Sequence, residues 1–290
     1  MRVPNQVSSE SELKGVLDVL YAESKKGRSF TGILELATND QTIITAIHNI
    51  KSNKGAKTAG IDKQKIDNLL SLPYRSLIGL VKSRFKNYDP KPVRRIYIKK
   101  KNGKLRPLGI PTMMDRIIQE CLRIVIEPIA EARFYEHSYG FRPYRASKHA
   151  VRSIVQHADR TTWAIEGDIK GFFDNIDHTL LLRKLWNIGI IDKRVISIIG
   201  KMLKAGIMEN ETISSSPTGT PQGGILSPLL ANIYLNDFDW MIARRWQIPK
   251  REKEYSQRCS ARSYLKRAGY DECFLTRYAD DWVIQVRSKN

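Results

Sequence analysis

The tetrapeptide YADD at 278–281 lies between two apolar segments, and it constrains the fold more than any other feature of the chain. The flanking segments, 273–278 and 282–287, are rich in β-forming residues, and so short a connection predicts an antiparallel hairpin. Asp is common in turns because its side chain bonds to nearby backbone groups. Two adjacent acids at the tip of an apolar hairpin therefore leave two interpretations open, an ordinary turn or an acidic site.

A third acid, Asp168, lies at the end of another short apolar segment, 162–169, which also predicts a strand. If that strand lies beside the hairpin, Asp168, Asp280 and Asp281 converge. Close carboxylates resist joint ionisation, and Mg²⁺, which prefers hard oxygen ligands, relieves that cost. Two such ions about 3.5–4 Å apart can hold the attacking and leaving oxygens of a phosphoryl transfer. This arrangement suits attack by a primer 3′-OH on a nucleotide α-phosphate.

The charge of the chain favours a polyanionic partner. Its 290 residues include 49 Lys and Arg against 30 Asp and Glu, a net charge of +19. Nucleic acid is the leading candidate, and a solvated basic surface is the alternative. No apolar run reaches the roughly 20 residues needed to span a bilayer, and residues 1–10 lack a signal-peptide core. We therefore expect no membrane partner and a cytoplasmic location.

The three cysteines, Cys121, Cys259 and Cys273, form no C-x-x-C pair. Their odd number and their spacing favour reduced thiols over a zinc site or a disulfide framework.

Helical periodicity alternates irregularly with strand-forming segments. A capping box at Ser9 and Glu12 predicts the start of the first helix. Further helices are expected at 41–52, 63–86, 113–136, 146–158, 178–188 and 192–205, and from about 225 onward. Strands are expected at 93–100 and 104–110, joined by an Asn102-Gly103 turn. This mixture, without strict βαβ alternation, predicts an α+β fold.

Basic residues and glycines concentrate in a few loops. Residues 91–106 hold eight Lys or Arg and no acid, which indicates either a cation-displaying hairpin or a solvated edge hairpin. Loop 53–60 is small, basic and glycine-containing, and segment 244–267 is basic and irregular. The loop GTPQGG at 219–224 precedes a helix, whose N-terminus favours negative charge nearby, although a plain helix-entry turn explains it equally well.

Together these segments resemble a reverse transcriptase of the bacterial group II intron maturase type. The resemblance covers about 175 residues in the family's order, and basic loop 53–60 with the N-terminal helices resembles the family's N-terminal extension. The matching stretches are LRPLGIPTMMDRIIQE (105–120), HSYGFRPYRAS (137–147), DIKGFFDNIDH (168–178), GTPQGGILSPLLANIYLNDFD (219–239) and RYADD (277–281).

The resemblance implies the fingers and palm of a right-hand polymerase. The palm is expected to be an antiparallel sheet carrying the Asp-Asp hairpin. The implied divisions are a helical N-terminal extension with the start of the fingers at 1–86, fingers at 87–160 and palm at 161–290. The chain stops nine residues after Asp281, so a thumb is expected to be absent, and weak polymerisation by this chain is expected.

Metal-site roles also follow from the resemblance. It assigns Asp168, Asp280 and Asp281 as the catalytic carboxylates, with Asp168 and Asp280 as the main metal ligands. The main-chain carbonyl of Ile169 completes a metal shell. The implied cofactors are two Mg²⁺ ions, for which Mn²⁺ can substitute.

The resemblance further assigns nucleotide-binding residues. Lys100 and Arg106 are expected to hold the incoming triphosphate, although other lysines nearby leave the choice of Lys open. Phe173 is expected to screen the sugar 2′ position and so to favour dNTPs, with an ordinary core Phe as the alternative. Phe172, by strand alternation, is expected to face the core. Gln222 is expected to pack against the nascent base pair.

Contacts to template, primer or intron RNA are expected from five residues. For Tyr278, a contact with the primer end is expected, and an ordinary core position is the alternative. The set comprises Arg142, Tyr278, Gly223, Lys54 and Lys57.

The implied function is RNA-directed DNA synthesis on a primed RNA template, together with binding of group II intron RNA to assist splicing and retrohoming. One alternative is a splicing cofactor with little polymerase activity. The other is a retron, diversity-generating or CRISPR-associated reverse transcriptase. A homodimer formed through an exposed palm surface is a further expectation.

Overall fold

The computed structural model describes residues 1–99, 103, 105–209, 212–214, 218–220, 223–247, 260, 263–264, 267, 269 and 272–287. The chain divides into two compact units, a first unit of Met1–Arg133 with Gly171–Ile233 and a second unit of Phe134–Lys170 with Tyr234–Asn290. The domain boundaries predicted after residues 86 and 160 stay predictions.

The helices and strands follow one another in the order α1 (Glu10–Lys25), α2 (Ile33–Ala37), α3 (Asp40–Ser52), α4 (Ile66–Leu70), α5 (Tyr74–Lys86), β1 (Val93–Lys99), β2 (Leu105–Ile110), α6 (Met113–Glu131), α7 (Ser147–Ala158), β3 (Trp163–Gly167), α8 (His178–Asn187), α9 (Lys193–Leu203), β4 (Ile207–Glu209), β5 (Thr212–Ser214), α10 (Ser227–Ile242), β6 (Glu272–Tyr278) and β7 (Asp281–Arg287). Short 3₁₀ helices span Lys54–Lys57 and Phe172–Asp174, and a π-helical turn spans Ala243–Gln247.

Helix α6 is the centre of the first unit. Helices α1, α2, α3 and α5 all pack against it, and its side chains are buried on nearly every face, as expected of a helix surrounded by others. Thr112 caps its start, because the Thr112 hydroxyl accepts the backbone N–H of Asp115. A four-stranded sheet in the order β2-β1-β4-β5 completes this unit, with β1 and β4 parallel and the other pairs antiparallel.

The second unit is built on a three-stranded antiparallel sheet in the order β3-β7-β6. Helix α7 packs on one face, where the Gln285 side chain donates to the Ile154 carbonyl. Because side chains alternate along a strand, Trp282 and Ile284 face the opposite side, against a cluster that includes Tyr135 and Leu275. The α+β prediction and the acidic antiparallel hairpin are confirmed.

Two predicted helices have the wrong bounds. The predicted helix 63–86 is two helices, α4 and α5, because Pro73, which has no backbone N–H, stands at the N-cap of α5. The predicted helix 113–136 ends at Glu131, where the N–H of Arg133 closes a turn onto Ala130.

The start of α1 is close to the prediction but differs in one bond. Ser9 is the N-cap and accepts the Glu12 N–H. The Glu12 carboxylate receives the N–H and hydroxyl of Ser8 instead of the Ser9 N–H that a capping box requires.

Two further structural facts bear on the expectations from composition. Cys121 and Cys273 are buried free thiols, while Cys259 lies outside the described residues. Within the part of the chain that the structure describes, no helix has the length and apolarity to cross a membrane.

Candidate active site

The pairing of β3 with β7 places Asp168 and Asp281 at the same end of the sheet. Gly167 is directly opposite Trp282, so Asp168 leaves β3 where Asp281 begins β7. A β-carbon at Gly167 would lie 2.6 Å from the Cη2 atom of the Trp282 indole and closer still to two other ring atoms. Only glycine lets the ring cover β3 at this point, immediately before the first acid.

The third acid, Asp280, lies in the two-residue turn between β6 and β7. Tyr278 pairs with Asp281, which leaves Ala279 and Asp280 as the central residues. Ala279 has φ of 59°, in the left-handed region that costs a non-glycine residue about 1–2 kcal/mol. Positive φ at the first central position alone is the pattern of a type II′ turn, where glycine is usual. The surroundings must therefore hold this turn in place.

Loop 137–140 provides one such support. The Arg277 N–H donates to the His137 carbonyl at 3.0 Å, and the Tyr139 N–H donates to the Arg277 carbonyl at 2.8 Å. A β-carbon at Gly140 would lie 2.9 Å from the Cα of Ala279 and closer still to its nitrogen. The motif HSYGF is thus packed directly on the turn that carries Asp280.

The acids influence one another electrostatically. The pKa of Asp281 is raised, first by burial and then by the negative charges of Asp280 and Asp168. Asp168 and Asp281 are largely exposed and Asp280 is half-buried, so the burial that affects Asp281 is only partial. Asp168, Asp281 and Tyr278 line one pocket of about 430 Å³. The predicted convergence of the three acids is consistent with this arrangement.

These carboxylates fit a divalent cation chemically, because they are hard oxygen ligands whose mutual repulsion a cation relieves. Among the described residues, no group of three or more His, Cys, Asp or Glu side chains is placed so as to hold a metal ion by itself. A cation held here therefore needs additional oxygen ligands, such as substrate phosphates or water, as Mg²⁺ commonly does. Ile169, whose carbonyl was a predicted ligand, follows Asp168 and is half-buried.

Phe173 lies in the first unit, on the 3₁₀ helix Phe172–Asp174. Its carbonyl accepts the Thr220 N–H at 2.7 Å, and the Ile176 carbonyl accepts the Gly219 N–H at 2.8 Å. The start of the GTPQGG loop is therefore fastened to the segment that carries Phe173. Phe172 is buried as predicted, but Phe173 is buried too, because strand alternation does not apply to a 3₁₀ helix.

Strand β2 carries one more predicted residue, Arg106, and is contacted by another, Gly223. Arg106 is exposed and lies opposite Ile98 of β1. Gly223 packs on the same strand, since a β-carbon there would lie 2.9 Å from Cδ1 of Leu108. Lys100 and Gln222 lie outside the described residues.

Lys54 and Lys57 are exposed on the 3₁₀ helix of loop 53–60, and Arg116 holds this loop from beneath. The buried Arg116 guanidinium donates to the carbonyls of Gly55 at 3.0 Å and Thr58 at 2.7 Å. It also donates to the Pro111 carbonyl. The path of the loop is thus fixed through main-chain atoms.

Arg142 is buried, whereas a side chain that contacts nucleic acid is ordinarily exposed. It donates to the carbonyls of Tyr135 at 2.7 Å and Ser138 at 2.8 Å, and its guanidinium lies 5.1 Å from the Phe134 ring centre. Its role as a template contact stays a prediction. Sequence reasoning missed the internal roles of Arg116, on α6, and Arg277, on β6, although an arginine within an apolar segment is a usable signal of a buried partner.

Residues 98–290 match the family model described as reverse transcriptase (RNA-dependent DNA polymerase). The group II intron-encoded protein LtrA of Lactococcus lactis subsp. cremoris is 46% identical over 78% of this chain and 38% of its own length. Protein YkfC of Escherichia coli (strain K12) is 37% identical over 88% of this chain and 70% of its own length. A solved structure titled "Partial Cas6-RT-Cas1--Cas2 complex" is 24% identical, with a TM-score of 0.49, over 89% of this chain and 38% of that chain.

The chain belongs to the reverse transcriptase family, whose activity is RNA-directed DNA synthesis and whose domains generally use divalent metal ions. Within that family its similarity is to group II intron-encoded proteins, so the resemblance seen in the motifs is confirmed. The chain spans little more than a third of the length of the LtrA protein.

Proposed function

We propose that this protein synthesises DNA on an RNA template and also binds group II intron RNA. The observation that carries the proposal is the strand register that brings Asp168 and Asp281 to one end of the antiparallel sheet, with Asp280 in the turn beside them, within the reverse transcriptase family. The raised pKa of Asp281 supports it, because partial desolvation and the negative charges of Asp280 and Asp168 disfavour its ionised form, and a cation would relieve that cost.

The residues proposed to hold the cofactor are Asp168, Asp280 and Asp281, with the Ile169 carbonyl. Two Mg²⁺ ions, or Mn²⁺ in their place, would neutralise charge on the reacting phosphate and polarise the attacking hydroxyl. The backbone places these carboxylates: the turn fixes Asp280 relative to Asp281, and the β3–β7 register fixes the position of Asp168.

Selection of the nucleotide is assigned to the first unit. Phe173 excludes a 2′-hydroxyl sterically, and its hydrogen-bonded link to Thr220 ties it to the loop that carries Gln222. Arg106, and Lys100 on the same hairpin, hold the triphosphate, because arginine forms two parallel bonds to phosphate oxygens and lysine acts as a point charge. Gly223, Tyr278 and Arg142 are assigned to template and primer.

Binding of intron RNA is the second proposed activity, and loop 53–60 favours it. Lys54 and Lys57 are exposed there, and the net charge of the chain is +19. Structured RNA is recognised largely through shape and backbone contacts, which a rigid basic loop can make. We infer that this activity assists splicing and retrohoming in the bacterial cytoplasm. We also propose a homodimer, which sedimentation of the purified protein tests.

Primer extension by the full-length natural protein tests the first activity. The assay uses an RNA template with dNTPs or rNTPs, with and without Mg²⁺. Extension that needs dNTPs and metal, and that Asp280→Ala abolishes, is the expected result. Absence of extension by a folded, RNA-binding protein would favour a splicing cofactor instead.

A matched pair of variants separates the two activities. Asp280→Ala should remove synthesis and keep RNA affinity, whereas the double change Lys54→Ala and Lys57→Ala should weaken RNA binding and keep extension on a short primed template. Loss of high-affinity RNA binding in Asp280→Ala would reject the model of two separate surfaces.

A further inference from the structure

Arg277 is a buried arginine on β6, three residues before Asp280, and its side chain is 1% exposed. Its Nε and Nη2 atoms donate to the two carboxylate oxygens of Asp239 on α10, each at 2.7 Å. Asp239 is 0% exposed. The two side chains therefore form a bidentate ion pair away from water.

The rest of the guanidinium is directed at the acidic turn and its supporting loop. Nη1 donates to the carbonyl of Ala279 at 2.6 Å, and Nη2 also donates to the hydroxyl of Ser138 at 2.8 Å. Ala279 is the residue with φ of 59°, and its carbonyl belongs to the peptide unit that begins Asp280. One planar group thus joins α10, loop 137–140 and the strained turn.

Stability of the core does not explain this arrangement. Buried ion pairs contribute little net stability compared with apolar side chains of similar volume, and leucine or methionine would fill such a space. An apolar side chain cannot donate to the Ala279 carbonyl, and lysine cannot contact a carboxylate and a carbonyl in one plane. The feature that specifically needs arginine is the bond to the turn.

We propose that the Arg277–Asp239 pair is a positioning device for the catalytic turn. Asp239 orients the guanidinium, and the guanidinium fixes the Ala279 carbonyl, so that Asp280 and Asp281 are held in one arrangement before substrate or metal binds. This inference rests on the proposed function, since it assigns the pair a role in the placement of the polymerase carboxylates.

The test compares Arg277→Lys and Asp239→Asn with Leu275→Ala in the full-length protein. Leu275 is a matched control, because it is 1% exposed and lies on the same strand and the same side as Arg277, two residues further from the turn. Circular dichroism and thermal melting establish that each variant is folded at the assay temperature. Arg277→Lys keeps the positive charge, and Asp239→Asn keeps an acceptor, so both spare the core as far as possible.

Three measurements follow. Hydrogen exchange of residues 276–283 reports the order of the turn, Mn²⁺ binding followed by electron paramagnetic resonance reports the metal site, and primer extension gives kcat and KM. We expect faster exchange in both pair variants, and Mn²⁺ affinity and kcat reduced by about 10–100-fold, the usual loss when a partner of a metal ligand is removed. The KM for dNTP and the affinity for RNA should stay near wild type.

Leu275→Ala should lose thermal stability without these changes. Wild-type exchange, Mn²⁺ affinity and kcat in both pair variants would overturn the proposal, as would equal losses in Leu275→Ala. If Arg277→Lys does not fold, Asp239→Asn alone decides between these outcomes. Failure of the wild-type protein to extend primers would count against the proposed function, whereas altered exchange and Mn²⁺ binding in the variants would still support the positioning role.

Discussion

Gly140 and Ala279 pack backbone against backbone, with no space between them for a side chain. Both atoms that a new methyl group would meet at Ala279, the nitrogen and the Cα, belong to the main chain. Neither can move without moving Asp280. The glycine of the HSYGF motif is thus a contact residue of the acidic turn.

Gly140→Ala should therefore destabilise the fold and impair synthesis together. Overpacking of this kind costs about 1–3 kcal/mol, which a urea denaturation midpoint would show. Gly79→Ala is the matched control, because Gly79 lies in α5 with no atom near the position of a β-carbon. That change should stabilise the helix by about 0.5–1 kcal/mol and leave primer extension unaltered. A fully active, fully stable Gly140→Ala protein would contradict the close packing.

Arg116→Ala should weaken RNA binding even though Arg116 is buried beneath loop 53–60. The change leaves the Gly55, Thr58 and Pro111 carbonyls without their donor, a loss of about 1–3 kcal/mol. The loop then keeps the bonds from Arg94 to the Ala59 carbonyl but loses those at Gly55 and Thr58, so the spacing of Lys54 and Lys57 is less fixed. Filter binding over a range of salt concentrations should show a shallower salt dependence, by about 1–2 in the log–log slope.

The control for that experiment is Arg75→Ala, which removes one exposed cation from α5. Arg75→Ala should have little effect on the free energy of unfolding. Equal salt slopes in wild type and Arg116→Ala would separate RNA binding from the anchoring of the loop.

Glu127→Gln should make stability less dependent on pH. Burial is the largest cause that raises the pKa of Glu127 above its ordinary value of 4.5; Glu131 and Glu120 add to it, and Arg123 opposes it without reversing the direction. A folded-state pKa above the unfolded value means that the folded protein binds the extra proton, so stability falls as pH rises from about 4.5 through the raised pKa. Glutamine keeps an acceptor for Arg123 without this titration.

Urea midpoints of wild type and Glu127→Gln should therefore agree near pH 4 and differ at pH 7, with the variant the more stable. Asp18→Asn, an exposed position on α1, controls for the change in net charge. A variant less stable than wild type at pH 7 would show that the Arg123 pairing outweighs the burial of Glu127.

Divalent cations should raise the melting temperature of the protein in the absence of RNA. A ligand that binds only the folded state stabilises it by mass action, about 1.4 kcal/mol when the free ion is at ten times its Kd. Asp280→Asn should remove the response to Mg²⁺ and Mn²⁺, and Glu10→Gln, an exposed acid at the start of α1, should keep it. An unchanged response in Asp280→Asn would place the binding elsewhere on the protein.

The acidic hairpin could be predicted from sequence because its signals are local. Strand alternation on both sides of YADD and the short connection between the strands identify β6 and β7. The register of β3 was not predicted, because it depends on the fit of Gly167 to the Trp282 ring, which the structure shows. The motif positions in the family supply the order of the acids, which periodicity alone does not.

The supports of the turn could not be predicted because they join distant parts of the chain. Arg277 contacts Ser138 and Asp239, which are 139 and 38 residues away. The short elements α2, β4 and β5 were missed for another reason, since three to five residues are too few to display a period. Phe172 was placed by strand alternation because a 3₁₀ turn has no distinct sequence signal over three residues.

Arg116 grips loop 53–60 by main-chain carbonyls alone, and this has a practical consequence for engineering. A carbonyl is the same whichever residue carries it, so the path of the loop does not depend on the side chains at 54 and 57. Those two positions can be randomised in a library to retune affinity for different RNAs, while Arg116 and, at the Ala59 carbonyl, Arg94 continue to hold the backbone of the loop.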